Sequence, residues 1–130
     1  MRNLILSVAL SAAVVALGCS SKAGRVKGQV VENGSPVKVQ GQAALMFDLV
    51  GPDGKADPTK GYPVPLNPDG SFELVASGGD VPPGTYRVTV QVNGPKAASG
   101  IFHYKGQSLT QEVKAGSNNL TIELTQAKEQ

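Results

Sequence analysis

Residues 85–92 read Thr85-Tyr86-Arg87-Val88-Thr89-Val90-Gln91-Val92. Tyr86, Val88, Val90 and Val92 fall on one face of an extended chain and Thr85, Arg87, Thr89 and Gln91 on the other. That period of two belongs to a strand with one buried and one solvated face, and this strand is expected at the centre of a sheet. Segments of the same grammar lie on either side of it. Upstream, Val26, Gly28 and Val30 are in phase before the turn signal Asn33-Gly34. Ala43, Leu45, Phe47 and Leu49 share a face, and Phe72 and Leu74 alternate with Ser71 and Glu73 after the turn Asn67-Pro68-Asp69-Gly70. Downstream come a short apolar strand over Ile101–Tyr104, a polar edge strand over Leu109–Val113, and a last strand facing inward through Leu120, Ile122 and Leu124.

Between these runs the punctuation is that of a β-protein. The chain has 130 residues with 16 Gly and 9 Pro, scattered rather than gathered in one tract, so collagen-like and disordered readings both fail. Gly51–Gly61 reads as a polar loop, long for a small domain, with Gly78–Gly84 and Asn93–Gly100 as further loops. Tyr62, Val64 and Leu66 alternate with Pro63 and Pro65. The prolines remove N–H donors along one side only, the signature of a protected edge strand. After the first 18 residues no segment has helical periodicity. Seven or eight short strands at turn spacings predict an all-β, Greek-key β-sandwich of about seven strands.

The opening residues read as an address. Arg2 precedes an apolar and small stretch from Leu4 to Leu17, then Gly18 and Cys19, which reproduces the three regions of a secretory signal. As a helix this stretch would reach only ~21 Å, short of the ~30 Å hydrocarbon core. Ala16, Leu17, Gly18 and Cys19 resemble a bacterial lipobox, in which cleavage falls between the small residue and the cysteine and the cysteine is acylated. The resemblance implies lipidation at Cys19, the single cysteine of the chain, and attachment to membrane lipid through it. The expected division is 1–18 signal peptide, 19–24 lipidated cysteine and tether, 25–126 sandwich domain and 127–130 polar tail. Ser20 to Gly24 reach at most ~18 Å, so the domain sits close to its membrane. Ser20 fits sorting to an outer membrane facing the periplasm, by analogy with other lipoproteins.

Four further patterns coincide with one family. They are Val26, Gly28 and Val30 followed by Asn33, Gly34, Ser35, Pro36 and Val37; Pro68, Asp69, Gly70, Ser71 and Phe72; Pro82, Pro83, Gly84, Thr85, Tyr86, Arg87 and Val88; and Glu112, Val113, Lys114, Ala115, Gly116 and Asn118 within Leu109–Leu124. Together they resemble small lipoproteins, frequent in planctomycetes, that carry a transthyretin-like or carboxypeptidase-regulatory-like domain. The resemblance implies a prealbumin-like, Ig-like sandwich on the cell envelope and supplies no catalytic residues. The chain departs from the family at His103, Tyr104, Lys105, Gly106 and Gln107, where a Lys-Tyr-x-Asp-Pro-like stretch is common.

The sequence encodes little chemistry. His103 is the only histidine, and neither Ser99 nor Ser108 sits in a nucleophile-elbow context, so the chain reads as no enzyme. Asp53, Lys55 and Asp57 begin like a calcium loop, but Pro58 and Val64 occupy the positions that need Gly and Glu. No cofactor and no metal is expected. Without Arg2 the charge is 11 basic against 10 acidic residues with no basic cluster, which excludes nucleic acid. Asn119-Leu120-Thr121 spells a glycosylation acceptor at the head of a strand, taken as coincidence. The function expected is a structural or protein-interaction module whose partner is an envelope protein or polysaccharide. The alternative is a carbohydrate-binding sandwich using Tyr62, Phe102 or Tyr104, since Phe47, Phe72 and Tyr86 fall on core faces and there is no Trp. If strands alternate in direction, the tether, Gly51–Gly61 and Gly78–Gly84 share one end, and Val31–Gln40, Asn67–Gly70 and Asn93–Gly100 the other.

Overall fold

A tight hairpin starts the fold. In the computed structural model, which describes residues 23–76, 81–93 and 101–129, β1 (Ala23–Glu32) turns through Asn33 and Gly34 into the two-residue β2 (Ser35–Pro36). Both turn residues have positive φ, 51° and 79°, the geometry whose twist matches the flanking strands. β3 (Gln42–Val50), β4 (Ala56–Pro65), β5 (Ser71–Leu74), β6 (Gly84–Asn93), β7 (Ser108–Val113) and β8 (Gly116–Glu123) follow. One sheet has β1 at its centre, antiparallel to β5 and β2 on one side and parallel to β8 on the other. The other runs β4-β3-β6-β7, antiparallel throughout. The architecture is the expected all-β sandwich, with β6 central in its sheet.

The alternation of the sequence is what closes the core. Tyr86, Val88, Val90 and Val92 of β6 are buried, as are Leu45 and Phe47 of β3, Val26 and Val30 of β1, Phe72 and Leu74 of β5, and Ile122 of β8. Phe47 ties the two sheets together, its ring 5.9 Å from Phe72 and 6.2 Å from Tyr86, at the tilted and edge-on geometries aromatic pairs prefer. The Tyr86 hydroxyl donates to the Pro82 carbonyl at 2.6 Å, so its burial leaves no polar group unpaired. That burial, with a smaller contribution from Tyr62, raises the Tyr86 pKa to about 12.

Two expectations are corrected. Gly51–Gly61 is not one loop, because β4 begins at Ala56 and pairs with Val50 across a bulge. Its first half lacks apolar alternation because residues 57–60 bridge the bulge at an edge and bury no face. Ile101–Tyr104 is not a strand. Ile101 is buried and Phe102–Tyr104 form a 3-10 turn, with the Tyr104 N–H on the Ile101 carbonyl at 3.0 Å. Leu124 is buried as expected but sits in a second 3-10 turn, Leu124–Gln126. Beyond it Ala127 is buried, and Lys128 pairs with Ser108 in an isolated bridge.

Strand direction sorts the connections into two ends. Ala23, where β1 begins, pairs with Gly116, and this lower end also carries residues 51–55 and 114–115. The upper end carries the Asn33-Gly34 turn, residues 37–41 and the Asn67–Gly70 turn, joined by Val39 N–H to Pro68 O at 2.8 Å and Leu66 N–H to Ala43 O at 2.9 Å. Residues 1–18, Cys19 and most of its tether lie outside the described residues, as do residues 78–80 of Gly78–Gly84 and 94–100 of Asn93–Gly100.

Candidate functional site

Three side chains from distant parts of the sequence meet at the upper end. Glu32 ends β1, and its carboxylate oxygen Oε2 accepts the Tyr104 hydroxyl at 2.5 Å while His103 Nε2 lies 3.3 Å from the same oxygen. The two rings are 4.0 Å apart between centroids. Buried Ile101 anchors the turn that carries them, and the Gly106 N–H to Val90 O bond at 2.9 Å ties its exit to β6. Beside this group Glu123, at the end of β8, accepts the N–H of Asn33 at 2.7 Å and of Gly34 at 3.2 Å and the Thr125 hydroxyl at 2.6 Å. The Thr125 hydroxyl first, then the two turn N–H groups, hold the Glu123 carboxyl below its usual range.

The electrostatics favour a neutral phenol at Tyr104. Donation to Glu32 first, then burial and the negative charges of Glu32 and Glu123, raise its pKa from 10.0 to about 12. A raised pKa adds stability that is whole below the unfolded value and is lost as pH rises through the folded one. Tyr104 and Tyr86 therefore both predict a fold that weakens between pH 10 and about 12. Near-UV titration of Glu32→Gln should move one of these two phenols back toward its ordinary value and leave the other. A profile identical to wild type would show that Glu32 does not hold Tyr104.

Shallow concavities open on this end, and two of them share the 36–38 segment. Glu32, Ser35, Pro36, Val37, Lys38 and Ile101 line one of about 290 Å³, with one acid and one base among them. The second, about 470 Å³, lies across the same 36–40 segment against Pro68 and Asp69. Elsewhere, on the outer face of the β3–β6 sheet, buried Asp48 lies 3.5 Å from Arg87. Those residues come from adjacent strands at paired register, so the ion pair reads as part of the sheet.

The sequence candidates divide cleanly. Cys19, Gly18 and Ser99 lie outside the described residues. Ser108 is buried in β7, its N–H and C=O both bonded to Lys128, and among the described residues His103 meets Glu32 and Tyr104. Asp53 and Asp57 accept the N–H of Lys55 and Thr59, closing their own turns, and the described residues hold no cluster of three metal-ligating side chains. Among the aromatic residues weighed for carbohydrate, Tyr62, Phe102 and Tyr104 are all half-buried, and Lys105 lies 5.6 Å over the Phe102 ring. Glu32 was not legible as a site residue. An acid before an Asn-Gly turn is generic, and its partner Tyr104 is 72 residues away.

No family model and no curated protein matches the chain. Among solved structures, a DUF3823 family protein from Parabacteroides merdae is similar at 22% identity and a TM-score of 0.51, over 77% of this chain and 44% of that one. A DUF3823 family protein from Bacteroides ovatus is similar at 18% identity and a TM-score of 0.45, over 78% and 43%. The chain therefore spans less than half the length of these proteins. The first likeness supports the β-sandwich.

Proposed function

We propose that the chain is a non-enzymatic lipoprotein of the bacterial cell envelope, held by acylated Cys19 and presenting its upper end to a protein partner. The observation that carries this reading is the separation of ends. The chain enters β1 at the lower end, four residues after Cys19, while Glu32, His103, Tyr104 and the two concavities along residues 36–40 lie at the other. The lipobox resemblance supplies the anchor, and the four patterns shared with planctomycete-type lipoproteins support a transthyretin-like reading of the sandwich. An outer membrane, with the domain in the periplasm, fits Ser20.

Cysteine accessibility in intact cells tests the orientation. With Cys19 acylated, Asp69→Cys at the upper end should react with a membrane-impermeant maleimide admitted to the periplasm, and Lys55→Cys at the lower end should be several-fold slower. Equal rates, or faster labelling at position 55, would reject it. A second reading, carbohydrate binding, is favoured by the convergence of Glu32, His103 and Tyr104, whose carboxylate, imidazole and phenol suit hydroxyl groups. Glycan-array binding that disappears in Tyr104→Ala would favour it over a protein partner.

A further inference from the structure

The four lateral edges of the sandwich are not equally defended, and an undefended edge is a template for another strand. On β4, Pro63 and Pro65 have no N–H to offer, and the Thr59 N–H is taken by the Asp57 carboxylate at 2.9 Å. On β5, Phe72 and Leu74 face β1, which leaves Ser71 and Glu73 outward. The Ser71 N–H goes to the Asp69 carboxylate at 3.0 Å, and its carbonyl takes the Asn67 N–H at 2.9 Å. On β7, Lys128 occupies both groups of Ser108, and the Lys114 N–H just beyond the strand bonds the Asn118 side chain at 2.9 Å, which shortens the outward run to Thr110 and the acidic Glu112.

β8 is different. Val30 donates to the Gly70 carbonyl and accepts from the Val37 N–H, so even-numbered residues of β1 turn toward β5 and β2, and odd-numbered ones toward β8. In the parallel register Gln29 pairs with Thr121, and an odd residue of β1 bonds the two residues flanking its partner. Leu120 and Ile122 therefore face β1. Ser117, Asn119 and Thr121 turn their N–H and C=O outward, and no described strand pairs with them. Alongside runs an open trench of about 520 Å³ between β7 and β8.

We propose that this edge pairs with β8 of a second copy of the chain, antiparallel across a two-fold axis near Asn119 and Leu120. Charge selects that occupant. Lys114 stands at the lower end of the edge and Glu123 at the upper, with no charged residue between them. Antiparallel pairing of two copies sets the basic end of each beside the acidic end of the other. Parallel pairing would set like ends together. A ladder this short makes a weak, reversible interface, strengthened when copies share one surface. The inference rests on ladder geometry and not on the anchor, so its failure leaves the anchored reading standing.

Sedimentation of the full chain in mild detergent tests it. The wild type should associate reversibly to a dimer. Thr121→Pro, which removes an outward N–H and no bond to β1, should weaken association at least tenfold with its circular dichroism unchanged. Asn119→Glu and Asn119→Lys should each weaken it similarly by like-charge repulsion at the axis, and their equimolar mixture should recover it. This recovery keeps the test valid if the proline variant misfolds. A wild type monomeric up to about 1 mM, the weak end of association, would overturn the proposal. So would a dimer indifferent to all three substitutions, or a monomer whose crosslinks to a different protein vanish in Thr121→Pro.

Discussion

Gly28→Val should prevent the domain from folding, and Gly28→Ala should lower its stability by about 1–3 kcal/mol, the usual range for overpacking a filled core. Gly28 sits on the inner face of β1 between Val26 and Val30, paired with Phe72 on one side and Leu120 on the other. A methyl group there would run into the Phe72 ring and come within 2.7 Å of the Leu120 carbonyl oxygen. The ring already packs against Phe47, 5.9 Å away between centroids, and the carbonyl belongs to the ladder that holds β8. Against a total of roughly 5–15 kcal/mol, the alanine variant should still fold but melt several degrees lower. Phe72→Leu added to Gly28→Ala should recover part of the loss. An unchanged melting temperature in Gly28→Ala would show that the ring does not occupy that space.

Cys19→Ser should abolish incorporation of labelled fatty acid and leave a chain that keeps residues 1–18. In the lipobox reading the cysteine sulfur carries the lipid, and a serine hydroxyl does not replace it as acceptor. The processed wild type should begin at Cys19 and hold 112 of the 130 residues. Each buried CH₂ of an acyl chain contributes roughly 0.8 kcal/mol, and more than one chain is needed for stable attachment. The wild type should therefore stay with membranes through high salt. Fatty-acid label in Cys19→Ser equal to wild type would remove the anchor from the account.

Most of the core was legible because burial and strand period coincide. Tyr86 to Val92 on β6 and Phe72 and Leu74 on β5 announce their inner faces by alternation alone. Gly28 was legible as in phase but not as a necessity, since its reason is a ring arriving from β5. The sequence misread two segments for opposite causes. Residues 56–60 carry no apolar alternation, because they bridge the bulge between the Val50–Ala56 and Asp48–Gly61 pairs rather than bury a face. Ile101–Tyr104 are apolar enough for a strand, yet the chain there must turn back toward β7, and Gly106 with φ of 81° completes that turn. The upper-end cluster was only half visible. His103 and Tyr104 were candidates as a lone histidine and a spare aromatic, whereas Glu32 joins them through a contact between opposite ends of the domain.

The claim on which the account depends is that the upper end meets a protein partner while the lower end faces the membrane. Photo-crosslinking in native membranes, from a photoreactive residue at Lys38 and in parallel from one at Lys55, tests it most directly. A discrete protein adduct should form from position 38 and none of that mass from position 55. The same adduct from both positions, or only from 55, or capture of polysaccharide alone from 38, would contradict it.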